Sequence, residues 1–160
     1  MFRFVRGCAG VLLAGVIVAA VGCNPNKPPS DQNKSLYDRL GGQPAIAAVV
    51  DKFVDRAAQD PRVNFTRKGH PNDKWQPTQE NVAKLKASVT RFIVQATGGP
   101  QEYNGPSMVD VHKGMEISNE EFDAFADDLK KTLDEFKVPE KEQSDLLNAV
   151  GGLRDQIVGK

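Results

Sequence analysis

From Ser35 onward, every sustained apolar pattern in the chain repeats at steps of three and four, and no stretch alternates residue by residue. A helix gathers positions three and four apart onto one face, whereas a half-buried strand needs a period of two, so the chain reads as all-α. The clearest segment runs from Ala45 to Ala58, where Ile46, Val49, Val50, Phe53 and Val54 share a face. Pro44 suits its first turn, in which a missing N–H is no loss. A short helix over Ser35–Leu40 precedes it. Thr78 is placed to cap a further helix carrying Val82, Leu85, Val89, Phe92, Ile93 and Ala96, stopped by Gly98-Gly99-Pro100. Ser107 caps a short element with Met108, Val111 and His112 on one face. Ser118 and Glu121 make a capping box ahead of a stripe of Phe122, Phe125, Ala126, Leu129, Leu133 and Phe136, which ends near Val138-Pro139. A last helix carries Leu146, Leu147, Val150, Leu153 and Ile157. Between the second and third helices, Pro61, Gly69, Pro71 and Pro77 mark Asp60 to Pro77 as a long loop, a kind that often serves function.

The first 23 residues follow another logic. A basic start (Arg3, Arg6), an apolar run from Cys8 to Val21 and small residues before Cys23 form a secretory signal. The run is short for a membrane-spanning helix, which needs about 20 apolar residues, so an uncleaved anchor is the weaker reading. Ala20-Val21-Gly22-Cys23 resembles the lipobox of bacterial lipoproteins, with Ala20 where Leu is commoner, and implies acylation of Cys23. Residues 24–34 are polar and proline-rich and read as a tether. Residues 35–160 then form one domain of ordinary size. Loss of Cys8 and acylation of Cys23 leave no thiol for a disulfide, so an exported domain of this kind depends on its core or on a cofactor. Without Arg3 and Arg6 the 21 basic residues fall to 19 against 21 acidic ones, a formal charge near −2. No basic stripe appears, and nucleic acid is not an expected partner.

Chemistry narrows to two histidines, His70 in the loop and His112 on an apolar helix face. A histidine in such a place is often a satisfied core residue. As a ligand it cannot build a structural zinc site alone, because that takes four donors. Haem asks for as little as one protein ligand, since the porphyrin supplies four nitrogens. The loop from Asp110 offers a competing calcium site, with Asp110, Ser118 and Glu121 at the first, ninth and twelfth positions of an EF-hand. His112 and Gly114 occupy the third and fifth without side-chain oxygens, and Met115 stands where glycine makes the turn, so too few oxygens converge. The acidic residues from Glu116 to Asp128 lie opposite an apolar stripe and read as a solvated face. No phosphate-binding or nucleophile-elbow glycine pattern occurs.

Three stretches resemble the group 1, or N-type, truncated haemoglobins: Ser35 to Ile46 (SLYDRLGGQPAI), Gly98 to His112 (GGPQEYNGPSMVDVH) and Ile117 to Phe122 (ISNEEF). The likeness spans roughly residues 35–158 and implies a two-over-two helical sandwich around haem b. Carried over by position, His112 is the proximal iron ligand. Met108, Val111, Met115, Ile117, Phe122 and Phe125 line the proximal side and the haem edge. Leu85, Val89, Phe92 and Ile93 match the distal helix, Lys86 and Tyr103 stand where haem propionates are reached, and Phe65 is the phenylalanine expected to stack on haem.

The departures lie in the distal pocket. Family members commonly place a tyrosine after the phenylalanine of the second helix, where this chain has Val54 after Phe53, and often a glutamine where it has Val89. Bound dioxygen then lacks hydrogen bonds worth roughly 1.5–3 kcal/mol, about one to two decades in affinity. Arg67, His70 or Trp75 of the long loop are the candidates to replace the missing group, with His70 a candidate sixth ligand. The resemblance implies reversible binding of oxygen, nitric oxide or carbon monoxide outside the cytoplasm, by a lipid-anchored protein facing the periplasm or cell exterior. A nitric oxide dioxygenase activity would need an electron donor that the chain does not contain. The alternative is an electron-transfer or haem-sensing lipoprotein whose iron is closed by two histidines.

Overall fold

A computed structural model describes residues 34–69, 75–100 and 103–160. The expectations for the signal segment, for Cys23, for all but the last residue of the tether and for His70 lie outside these residues. Among the described residues, seven helices follow in order: α1 (Leu36–Arg39), α2 (Gly42–Gln59), α3 (Gln79–Ala96), α4 (Met108–His112), α5 (Asn119–Glu135), α6 (Glu140–Gly151) and α7 (Arg154–Ile157). Two long pairs carry the fold. α2 packs on α3 and α5 on α6, and α2 against α5 joins the pairs into a two-over-two arrangement.

The caps are those that the side chains favour. Ser35, Thr78, Ser107 and Ser118 each accept a backbone N–H at the start of α1, α3, α4 and α5. At Ser118 the capping box is complete, with Glu121 returning a bond to the Ser118 amide at 2.9 Å. Gly41 turns the chain between α1 and α2 at a φ of 90°, where a side chain would be strained. That turn lets α2 begin at Gly42 rather than at Ala45.

Amphipathicity then decides burial. α2 buries Ile46, Val49, Val50, Phe53, Val54 and Ala57, and α5 buries Phe122, Ala124, Leu129 and Leu133 with Asp128 and Thr132. Two expectations are corrected. Phe136 does not join the α5 stripe. It is the C-cap and 42 % exposed, because Lys137 enters the left-handed region at a φ of 54° and turns the chain away. The last helix is broken into α6 and α7 at Gly151-Gly152, where backbone freedom favours a stop. Between α4 and α5, Ile117 pairs with Val158 in an isolated parallel bridge.

Candidate functional site

α3 and α4 face each other across an apolar cavity of about 590 Å³, well within the roughly 300–1,000 Å³ usual for small-molecule sites. Leu85, Ser88, Val89 and Phe92 project from one face of α3, and Met108, Val111 and His112 from α4. Met115 and Ile117 follow from the connection to α5. Phe53 and Phe125, edge to face with ring centroids 4.6 Å apart, stand in its wall with Phe122, itself capped by the Arg154 guanidinium 4.4 Å from the ring centre. Phe92 meets Tyr103 edge-on at 5.5 Å. Gly105 makes room for that tyrosine, because a Cβ there would lie 2.2 Å from its ring.

Among these, His112 alone offers an imidazole, the commonest protein donor to a metal. Its Nδ1 lies 2.7 Å from the Met108 carbonyl, and a carbonyl only accepts, so Nδ1 carries the proton. Nε2 is left with its lone pair, the tautomer that ligating histidines have when their other nitrogen is bonded to a carbonyl. Burial pushes the imidazole below its ordinary value, and the Met108 carbonyl works against this without overcoming it. The neutral ring, the form a metal takes, is therefore favoured. No group of three or more histidine, cysteine or carboxylate side chains suited to a metal occurs among the described residues. A bare ion thus finds no donor set here, whereas an iron carried in a flat macrocycle needs one imidazole and an apolar crevice, and both are present.

Of the side chains expected at the site, the cavity gathers Phe53, Leu85, Val89, Phe92, Ile93, Tyr103, Met108, Val111, His112, Met115, Ile117, Phe122 and Phe125. Val54, Phe65 and Lys86 are not among its walls. Val54 is turned into the packed interior and is 2 % exposed. Phe65 lies edge-on against Trp75 at 5.4 Å, and of that pair only Trp75 reaches the cavity. The Lys86 ammonium is held by Asp51 at 2.7 Å and Asp55 at 2.6 Å on the α2 side. Burial works against its charge, but the two carboxylates raise it above the ordinary value.

Arg67 is likewise not poised over the cavity. It is buried, donating to Glu121 at 2.8 Å and to the Met115 carbonyl at 2.6 Å. Burial pushes the Glu121 carboxyl up, but the Ser118 amide and this guanidinium outweigh it and hold the group below its usual value. Ser88 and Arg91, which also border the cavity and bond to each other at 3.2 Å, were missed. Ser88 lies three residues after Leu85, so helical spacing alone places it on the wall. The contributions of Val150, Leu153 and Ile157 depend on how α6 and α7 fold back, which periodicity does not carry.

The sequence is similar to known globins. The family model described as bacterial-like globin matches residues 35–158. A group 1 truncated hemoglobin of Tetrahymena pyriformis is 30% identical over 135 residues, covering 84% of this chain and 99% of that protein. Group 1 truncated hemoglobin GlbN of Synechocystis sp. is 36% identical over 110 residues, 66% of this chain and 81% of its own length. The crystal structure of the Tetrahymena pyriformis truncated hemoglobin in its Fe(III) form superposes with a TM-score of 0.68 at 28% identity, covering 79% of this chain and all of that one (100%). A single bonded imidazole on an apolar cavity, in this helical order and with these likenesses, places the chain in the bacterial-like globin family, among the haem-binding group 1 truncated haemoglobins.

Proposed function

We propose that His112 is the proximal ligand of the haem iron and that a diatomic gas, oxygen, nitric oxide or carbon monoxide, is bound reversibly beside the apolar face of α3. The observation that carries this reading is the His112 imidazole, fixed through Nδ1 and with its neutral form favoured by burial, on the wall of a mainly apolar cavity. Bound haem supplies an iron with four porphyrin nitrogens and a position open to a gas. The Met108 carbonyl fixes the imidazole tautomer and keeps Nε2 as a donor of its lone pair. Phe53, Phe122 and Phe125 keep water from the macrocycle. Leu85 and Val89 give the gas no hydrogen bond, and Ser88 is the hydroxyl of α3 that borders the cavity. Oxygen is accordingly held loosely, while nitric oxide and carbon monoxide, which lean less on a donor, are held comparatively well.

The place of action rests on the sequence alone. The basic, apolar and small-residue order of residues 1–23 supports export, and Cys23 supports acylation and a membrane tether. No helix among the described residues is long and apolar enough to cross a membrane. Any turnover of the bound gas requires electrons from a separate donor.

Absorbance of the reduced, haem-loaded chain tests the reading, with and without His112→Ala. A five-coordinate high-spin spectrum that is lost or shifted in the variant, with prompt binding of carbon monoxide, is expected. The same Soret band in both proteins rejects His112 as the ligand, and slow carbon monoxide binding transfers the sixth position to an internal residue such as His70. Intact mass of the membrane-extracted chain gives a lipid adduct on Cys23; an unmodified mass removes the anchor.

A further inference from the structure

α4 is a single turn of five residues and buries none of them. A helix that short does not hold itself in water, because its first turn fixes several residues for one hydrogen bond. The direction of His112 is therefore set from outside, by α7, against which α4 packs, and by the connection running from Lys113 to Ser118. The Met115 amide donates to the His112 carbonyl at 2.9 Å. The Met115 carbonyl in turn accepts from Arg67 Nη2 at 2.6 Å, while Arg67 Nη1 donates to Glu121 Oε2 at 2.8 Å. That same carboxylate oxygen accepts from the Ser118 amide at 2.9 Å, so one guanidinium braces the middle of the connection directly and its Ser118 end through Glu121.

Arg67 reaches this place at a cost. It is 5 % exposed, its backbone sits in the left-handed region at a φ of 56°, and its buried Nε–H finds no acceptor among the described residues. A buried charge is tolerated only where it is paired and bonded, and an arginine serving solubility or a surface ion pair would not be held so. From the other side, the Glu116 amide donates to the Lys160 carbonyl at 2.8 Å and the Gly159 amide to the Ile117 carbonyl at 3.0 Å. The connection after the ligand is thus gripped from two distant parts of the chain.

We propose that Arg67 is a positioning residue for His112: its guanidinium, fixed between the Met115 carbonyl and Glu121, sets how the imidazole enters the cavity. This rests on His112 being the haem ligand. Groups one link beyond a metal-bound histidine change metal affinity by about 10–100-fold, and Arg67 acts through the peptide that carries the ligand. It also joins that peptide to the α2–α3 connection, whose Trp75 borders the same cavity.

The test uses the full-length, haem-loaded protein, reduced and free of gas. It reads the iron–imidazole stretching band by resonance Raman and the rate of haem transfer to an apoprotein acceptor. Arg67→Met keeps the length of the side chain and neither hydrogen bond; the band moves or broadens and haem loss quickens about tenfold or more. Arg67→Lys keeps the charge but not the fork, and falls between that variant and wild type. Glu121→Gln keeps the bond to Met115 and gives a smaller change in the same direction, and it decides the matter if Arg67→Met does not fold. An unmoved band in a folded variant, even with lowered thermal stability, overturns the proposal, because a merely structural ion pair gives that result. A wild-type protein without an iron–imidazole band refutes His112 as the ligand instead, which separates the two failures.

Discussion

Between α2 and α5 the apolar side chains close on one another, with Val50 and Leu133 1 % exposed and Val54 2 %. Between α3 and α4, residues of the same kind line a cavity: Leu85, Val89, Phe92 and Met108 are only half-buried, and α4 buries nothing. The two regions have helices of similar amphipathic character and opposite uses. One spends its apolar face on the core and fixes the fold. The other leaves its face open on a cavity wide enough for a flat apolar cofactor, with the Nδ1-bonded imidazole of His112 on the wall.

The contrast breaks first in stability. Leu133→Ala removes a fully buried side chain and costs about 2–5 kcal/mol in a urea titration, whereas Val89→Ala, on a wall already facing a cavity, costs far less. Equal losses would mean that the α3 wall is as tightly packed as the α2–α5 region. The next effect sharpens the chemistry of the hollow region. Val89→Gln introduces an amide donor where the wall is apolar and slows oxygen release by about one to two decades, measured by stopped-flow displacement with carbon monoxide. An unchanged release rate would show that position 89 does not reach the gas.

The smallest effect belongs to the outer edge of the packed region. The side chain and amide of Arg62 bond the Asp60 carboxyl and hold it at about 2, against an ordinary 3.8. A depressed carboxyl stabilises the fold above its ordinary value and loses that contribution as pH falls from about 4 to about 2. Asp60→Asn therefore flattens this part of the acid unfolding curve and leaves haem absorbance at neutral pH untouched. A steeper acid limb in the variant would reverse the sign.

Periodicity made the helices legible, because a 3.6-residue repeat is a local property that the sequence carries directly. Ser118 and Glu121 announced α5 for the same reason. His112 stood out because its neighbours at helical spacing are apolar. What escaped the sequence depends on distant geometry. Val54 and Phe53 adjoin in the chain and both are buried in the core, yet only Phe53 also borders the cavity, a difference of about 100° of helical rotation. Lys86 was drawn off by Asp51 and Asp55 from another helix, and Arg67 was captured by Met115 and Glu121, contacts that no spacing rule encodes. The break at Gly151-Gly152 was visible in composition, but the apolar repeat ran through it unchanged.

On the proposal that His112 holds the iron, a ligand-bearing helix of one turn makes the chain's persistence depend on cofactor supply. Haem binds the folded domain in preference to the random coil, so each tenfold rise in free haem above its dissociation constant adds about 1.4 kcal/mol to the folded state. Where haem is scarce, α4, which buries none of its own residues, loses that support. On that proposal, the number of surviving copies would follow the supply of haem.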